Sequence, residues 1–400
     1  MLRQRDFALL FSGQVVSTIG DQVTPIALSF AVLDLHGSAG DLGIVLGAQA
    51  LALALFVLLG GVWADRVPRH RLMVASDAVR GGVQAVMAVL LLTNGAAVWS
   101  LAALAFIYGT AEAFFRPASI ALVPQVVGPD ALQQANALVA FMFSFGAFVG
   151  PVIAGVLISL IGSPGTILLD SATFVVSAAT LLALRPRPAE LAPRSSALRE
   201  IRAGWREARR HAWMLAGFAT FAVYFIGPLS ALFVLGPALA KAELGGASAW
   251  ATIIAGWGAG AIIGSVVLLR FRPRRPMVAV FGFCCIASLQ PAIVALPLPV
   301  LALALLLAVA GICTSIFWTL WDTTLQRSIP EQAMSRVSAF DHLASLAGFP
   351  IGMAVAGPIG DAIGLRETML AASALGLTAS LMALTVPAVR RFRADVPRRE

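Results

Sequence analysis

Apolar residues run along this chain in long blocks separated by short polar or turn-forming clusters. A block of roughly twenty apolar residues is what an α-helix needs to cross the hydrocarbon core of a bilayer. Twelve such blocks can be drawn, at 7–33, 42–64, 72–93, 98–118, 136–161, 165–184, 212–235, 248–269, 277–295, 299–320, 336–360 and 367–387. Between them lie His36-Gly37-Ser38, Asn94-Gly95, Gly162 to Gly165, Gly245-Gly246 and Pro297 to Pro299, which favour turns over helix. The pattern predicts an all-α polytopic membrane protein of twelve transmembrane helices.

Composition removes the main alternative. Apolar residues make up 59% of the chain and charged residues 12%, against about 25% charged in a soluble domain. Too little polar sequence is left to cover a water-exposed core. The net charge of +8 does not point to nucleic acid, because the arginines fall in short runs between apolar blocks. They suit basic cytoplasmic loops instead. With twelve spans and the N-terminus inside, all but Lys241 and Arg366 of the 28 basic residues lie on the cytoplasmic side. That assignment includes Arg116 and an Arg80 placed at a span edge. It predicts an inner-membrane protein with both termini cytoplasmic.

The first block contains Asp21 and is too long for a cleavable leader, so it reads as a span. Cys284, Cys285 and Cys313 lie inside apolar blocks and are expected to be reduced and structural, without metal-ligand spacing. The sole lysine, Lys241, sits in no phosphate-binding loop, and no catalytic constellation is visible. The expectation is therefore a non-enzyme without cofactor, drawing energy from an ion gradient.

The one long polar stretch, 185–211, divides the spans six against six. Leu198, Ile201, Trp205 and Ala208 recur in it at helical spacing among arginines, as in an amphipathic helix on the inner leaflet. The expected organisation is a six-helix bundle over 1–184, a cytoplasmic linker over 185–211 and a second bundle over 212–400. A shift of 202 residues lays Gly146, Gly150, Ala154 and Gly155 on Gly348, Gly352, Ala356 and Gly357, suggesting an internal repeat. Repeats of this kind place a transporter's substrate near the midplane.

Candidate chemistry starts with charges inside the blocks, since a charge at the bilayer centre costs roughly 2.5–3.5 kcal/mol on insertion scales. Asp21 lies mid-span and is a candidate for substrate or proton binding. Glu112 and Arg116 stand i,i+4 with the acid first, the favourable order for a pair on one helix, and form either a structural pair or a protonatable switch. Asp322 and Asp341 near inner ends, and Asp170 near an outer end, are weaker candidates expected at the interface. Aromatic residues, among them Phe143, Phe221, Tyr224 and Trp321, carry no substrate assignment.

Two glycine motifs complete the set. Gly60-Gly61 closes the second span, followed by Asp65, Arg66, Pro68, Arg69 and Arg71; the glycines allow close helix approach, and the acid can cap a helix or pair with arginine. Gly146 and Gly150 share a face of the fifth span, followed by Pro151, which can kink it.

The loop from Gly61 to Arg71 resembles the loop 2–3 signature of the major facilitator superfamily, with Pro68 where a second glycine is usual. The run Gly146 to Gly155 is similar to the fifth-span motif of its drug–proton antiporters. With Phe114 to Pro124 and Ser17 to Asp21, the chain resembles the branch holding macrolide-efflux and siderophore-export proteins. The resemblance implies two bundles alternating access about a central cavity. It implies gating by Gly61, Asp65, Arg66, Arg69, Arg71, Gly146, Gly150 and Pro151. It also implies proton-coupled export of small amphipathic molecules by a monomer whose partners are lipid, substrate and protons. A nutrient uptake permease, or a non-transporting receptor or assembly factor on the same scaffold, are the alternatives.

Overall fold

The structure, a computed structural model, describes residues 4–35, 37–64, 66–128, 131–186, 205–206, 208–271, 273–329 and 331–393. Across 331–346 it describes the backbone and, of the side chains, Val337 alone. Among the described residues there are helices and turns but no strands. The helices are α1 (Arg5–Asp34), α2 (Ala39–Ala64), α3 (Arg69–Leu92), α4 (Val98–Val126) and α5 (Leu132–Leu182). They continue as α6 (Ala212–Leu244), α7 (Ala247–Leu268), α8 (Pro276–Val294), α9 (Val300–Ser328), α10 (Glu331–Ile363), α11 (Leu365–Thr385) and the short α12 (Pro387–Arg391).

Ten of these are long and apolar enough to cross a bilayer. One of them, α5, crosses twice. Its 51 residues contain Gly162 at φ 71° and ψ 170°, a conformation open to glycine and strained for other residues. Gly146 before the break and Thr173 after it both reach the same stretch of α1, at Thr18 and Gly20. A straight helix would separate those two levels by about 40 Å, so the chain doubles back at Gly162. With α10 as a further crossing, the twelve-span all-α architecture expected from the hydrophobic pattern is present.

The outer surface explains why water is the wrong solvent for this chain. Leu160 and Trp99 are 74% and 76% exposed, and Val175 is 67% exposed. Large side chains left uncovered along whole helices call for lipid contact, and helices satisfy their own backbone donors there.

Two compact units form. One comprises Met1–Arg194 with Ala240–Ala255, the other Ser195–Leu239 with Gly256–Glu400. In the first, α1 packs on α5, α2 on α4, and α3 on both α4 and α5. The stretch 240–255 joins it through Ala251, which meets Gly155, and through an ion pair of 2.6 Å from Lys241 Nζ to Asp34. In the second, the core is aromatic: Trp213, Phe218, Phe221, Tyr224, Phe281, Phe317 and Trp321 are buried together.

The internal repeat is a packing repeat. In the first unit Gly146 and Gly150 lie against Thr18 and Gln22 of α1, whereas in the second Gly348 and Gly352 lie against Ala222, Ile226 and Ser230 of α6. The same glycine spacing thus seats an equivalent helix pair in each unit. Of the linker, Trp205 is exposed and Ala208 buried, while Leu198 and Ile201 lie outside the described residues. Cys284 and Cys313 are buried, Cys285 is half-buried, and all three are free thiols.

Candidate functional site

The first unit holds a cavity of about 460 Å³ lined by α1, α3, α4 and α5. Its wall is largely apolar, with Phe7, Leu10, Phe11, Phe115, Val139, Met142 and Phe143 among the lining residues. Into it project Asp21, Gln22, Arg80, Glu112 and Arg116.

Asp21 owes its position to two features of α1. Gly20 beside it lets the second arm of α5 approach closely. Pro25, four residues on, supplies no N–H to the Asp21 carbonyl and loosens the helix there. The Asp21 carboxylate accepts from Tyr108 Oη at 2.9 Å and from Arg80 Nη1 at 3.4 Å. Its side chain stays 35% exposed.

Arg80 is the residue that sequence reasoning misplaced. It was expected at a span edge facing the cytoplasm; it is instead 1% exposed in the middle of α3. Its guanidinium lies between the rings of Phe115, at 4.0 Å, and Phe174, at 4.5 Å. A planar, weakly hydrated cation suits such a slot better than an ammonium would. Nη2 donates to Asp77 Oδ1 at 2.5 Å, and Asp77 also accepts from Ser177 Oγ at 2.7 Å. Asp77, Arg80 and Tyr108 were not among the sequence candidates. The signal available was an acid and an arginine at i,i+3 well inside an apolar block.

Glu112 and Arg116 do pair, with Nε and Nη2 both donating to Glu112 Oε1, at 2.9 and 2.5 Å. Gln49 Nε2 donates to Oε2 of the same carboxylate at 3.3 Å. The Arg116 side chain is 58% exposed, so this pair stands on the cavity rim.

Asp170 corrects another expectation. It is not interfacial but 2% exposed, because α5 turns back at Gly162 and carries it inward against Gly20. It accepts from Thr24 Oγ1 at 2.5 Å and Thr173 Oγ1 at 2.9 Å. Asp322 is exposed; the side chain of Asp341 lies outside the described residues.

The gating candidates separate. Gly150 packs so tightly on Gln22 that a Cβ would collide with it, and Gly146 packs on Thr18; Pro151 is buried beside them. The close approach expected at the end of α2 comes from Gly60, which meets the Ala113 carbonyl, whereas Gly61 faces open space. That carbonyl is free to be met because Pro117, four residues on, offers it no donor. Arg69 donates to the Ala121 carbonyl at 2.7 Å, fastening the start of α3 to α4. Arg66 and Arg71 are exposed, and Asp65 lies outside the described residues.

Twelve apolar crossings, a repeated packing unit and a charged cavity within a bundle define a polytopic membrane transporter. The chain belongs to the Major Facilitator Superfamily, whose sequence profile matches residues 10–353. It is similar to the multidrug efflux pump Tap of Mycolicibacterium fortuitum, 27% identical over 96% of each chain. It is also similar to the enterobactin exporter EntS of Escherichia coli O1:K1 / APEC, 26% identical over 98% of this chain and 94% of that one. In fold it matches the nucleoside transporter NupG with a TM-score of 0.77 and 12% identity, over 97% of this chain and 100% of the other. The protein is a transporter and not an enzyme.

Proposed function

We propose that this transporter is a proton-coupled exporter of small amphipathic molecules such as drugs, macrolides or siderophores, working by alternating access. The observation that carries this reading is the cavity: a largely apolar wall with Asp21 partly exposed on it. An apolar wall takes up the body of an amphipathic ligand, and a few placed charges orient it. The efflux relatives, similar over nearly their whole length, support the outward direction.

The carboxyl groups at and behind the cavity, Asp21, Asp77, Glu112 and Asp170, outnumber the guanidiniums Arg80 and Arg116. That balance favours a cationic head group or a proton at Asp21, competing for one carboxylate. Protonation of Asp21 releases the bound cation, and arrival of the cation displaces the proton. Glu112 with Arg116 forms the second ionic element of the site. Gly146, Gly150 and Pro151 on α5, with Arg69 on α3, serve the conformational change. The arginine asymmetry supports an inner-membrane location with both termini cytoplasmic. The chain works as a monomer of two six-helix bundles, 1–184 and 212–400, joined by 185–211.

The test is efflux from proteoliposomes holding the full-length protein, with tetraphenylphosphonium as the probe and an imposed pH gradient. Wild type is expected to move the cation uphill, and Asp21→Asn to move it only downhill. Uphill movement that survives collapse of the proton gradient refutes the coupling.

A further inference from the structure

A second acid sits behind Asp21, outside the lining of the cavity. Asp170 is 2% exposed and is absent from the lining of the cavity. Its carboxylate rests on Gly20, where a Cβ would collide with Oδ1. Asp21 is the next residue along α1. Two carboxyl groups are therefore held back to back across one glycine, one facing the cavity and one facing away.

Among the described residues no ion pair to Asp170 is seen; the hydroxyls of Thr24 and Thr173 donate to it, and the Gln84 amide lies beside it. The buried guanidinium of Arg80 is committed to Asp77 and Asp21. The ionisable groups facing this region are Asp21 from α1, Asp77 and Arg80 from α3, and Tyr108, Glu112 and Arg116 from α4. Arg116 is taken up by Glu112, which leaves Arg80 as the cation among the three carboxyls of Asp21, Asp77 and Asp170. A buried carboxylate without a cation is costly, and binding a proton removes the cost.

The hydrogen-bond chain around Asp170 accommodates both states. Gln84 Nε2 donates to Thr24 Oγ1 at 3.2 Å, and Thr24 donates to Asp170 at 2.5 Å, which fits an ionised Asp170. Gln84 is 1% exposed, and its Oε1 is buried without a donor. An amide presents a donor in one orientation and an acceptor in the other. A half-turn of Gln84 lets Oε1 accept from Thr24 while Thr24 accepts from a protonated Asp170. Each state then has a matched chain.

We infer that Asp170 is a second proton-binding site, shielded from the transported molecule, whose charge state is felt at Asp21 through the close approach at Gly20. Binding turns one carboxylate and one hydronium into a carboxylic acid and a water. The two carboxyls are like-charged neighbours across Gly20, so the charge of one alters the proton affinity of the other and they titrate as a coupled pair. The inference rests on the proton-coupled reading above, and it adds a proton that exchanges without being displaced by cargo.

Infrared difference spectroscopy of the full-length protein in nanodiscs, acid buffer against alkaline buffer, tests titration directly and needs no transport. A carboxylic-acid carbonyl band is expected that is lost in Asp170→Asn and kept in Asp21→Asn. Thr24→Val, which removes the relay, should change the pH at which that band appears. In proteoliposomes Asp170→Asn should lower uphill tetraphenylphosphonium efflux by about tenfold or more, while measurable downhill counterflow of the same cation is retained. Retained counterflow excludes simple misfolding. A band unchanged in Asp170→Asn, or uphill efflux unchanged in it, overturns the inference. Failure of wild type to use a pH gradient at all defeats the coupling reading instead, and the infrared band still reports whether Asp170 takes a proton.

Discussion

Arg80 meets Asp21 at 3.4 Å, but its shorter contact, 2.5 Å, is to Asp77 on its own helix. The two carboxylates differ in surroundings as well: Asp77 is wholly buried, while the side chain of Asp21 is 35% exposed. One guanidinium is thus anchored by a carboxylate that cannot leave and lends its other nitrogen to one that faces the cavity. Asp77 holds the charge in place, and it is at Asp21 that the proposed exchange with a proton or a ligand would occur. The two roles lead to different mutant behaviour.

Removing Arg80 leaves Asp77 buried and unpaired. Breaking a buried pair from one side costs roughly 3–5 kcal/mol, so Arg80→Ala should lower the unfolding temperature sharply in detergent. The loss of helical circular dichroism on heating can follow this. Asp77→Asn combined with Arg80→Gln should recover much of the loss. An unchanged midpoint in Arg80→Ala contradicts the arrangement.

The glycine pair ending α2 provides an internal control. Gly60→Ala pushes a methyl into the Ala113 carbonyl, whereas Gly61→Ala meets nothing. The first should destabilise the protein measurably; the second should stay within about 0.5 kcal/mol, as uncrowded surface changes do. Thermal unfolding of both variants, compared in one detergent, checks the order.

At the α1–α5 contact, Gly150→Val forces side-chain atoms into Gln22, and Gly352→Val does the same at Ile226 and Ser230 in the second unit. Each should reduce tetraphenylphosphonium efflux strongly. The repeated packing predicts losses of similar size, measured at equal protein per liposome.

Glu112→Gln takes away the charge that neutralises the exposed Arg116. The cavity rim then becomes more positive. Binding of tetraphenylphosphonium should weaken, and competition by the isosteric anion tetraphenylborate should strengthen. Opposite movement of the two inhibition constants is the expected signature.

The exposed pair of Asp34 with Lys241 bears on stability only slightly. Exposed ion pairs contribute about 1 kcal/mol or less, so Lys241→Ala should leave the unfolding midpoint nearly unchanged. A large shift shows that the pair is more enclosed than its exposure indicates.

The hydrophobic blocks determined the number of crossings and the fold class, because a bilayer imposes a length on every helix that spans it. Asp21 was legible for the same reason: a charge in the middle of a block is expensive and needs a cause. The i,i+4 spacing was enough to pair Glu112 with Arg116. Arg80, Asp77, Tyr108 and Asp170 were decided only by tertiary structure. Arg80 looks like a boundary arginine until Phe115 and Phe174, far away in sequence, close over it. Asp170 looks interfacial until the reversal at Gly162 carries it onto Gly20. Sequence spacing reports neighbours along one helix, whereas the partners that make a buried charge tolerable come from other helices, and their arrival depends on how glycines and prolines let those helices meet.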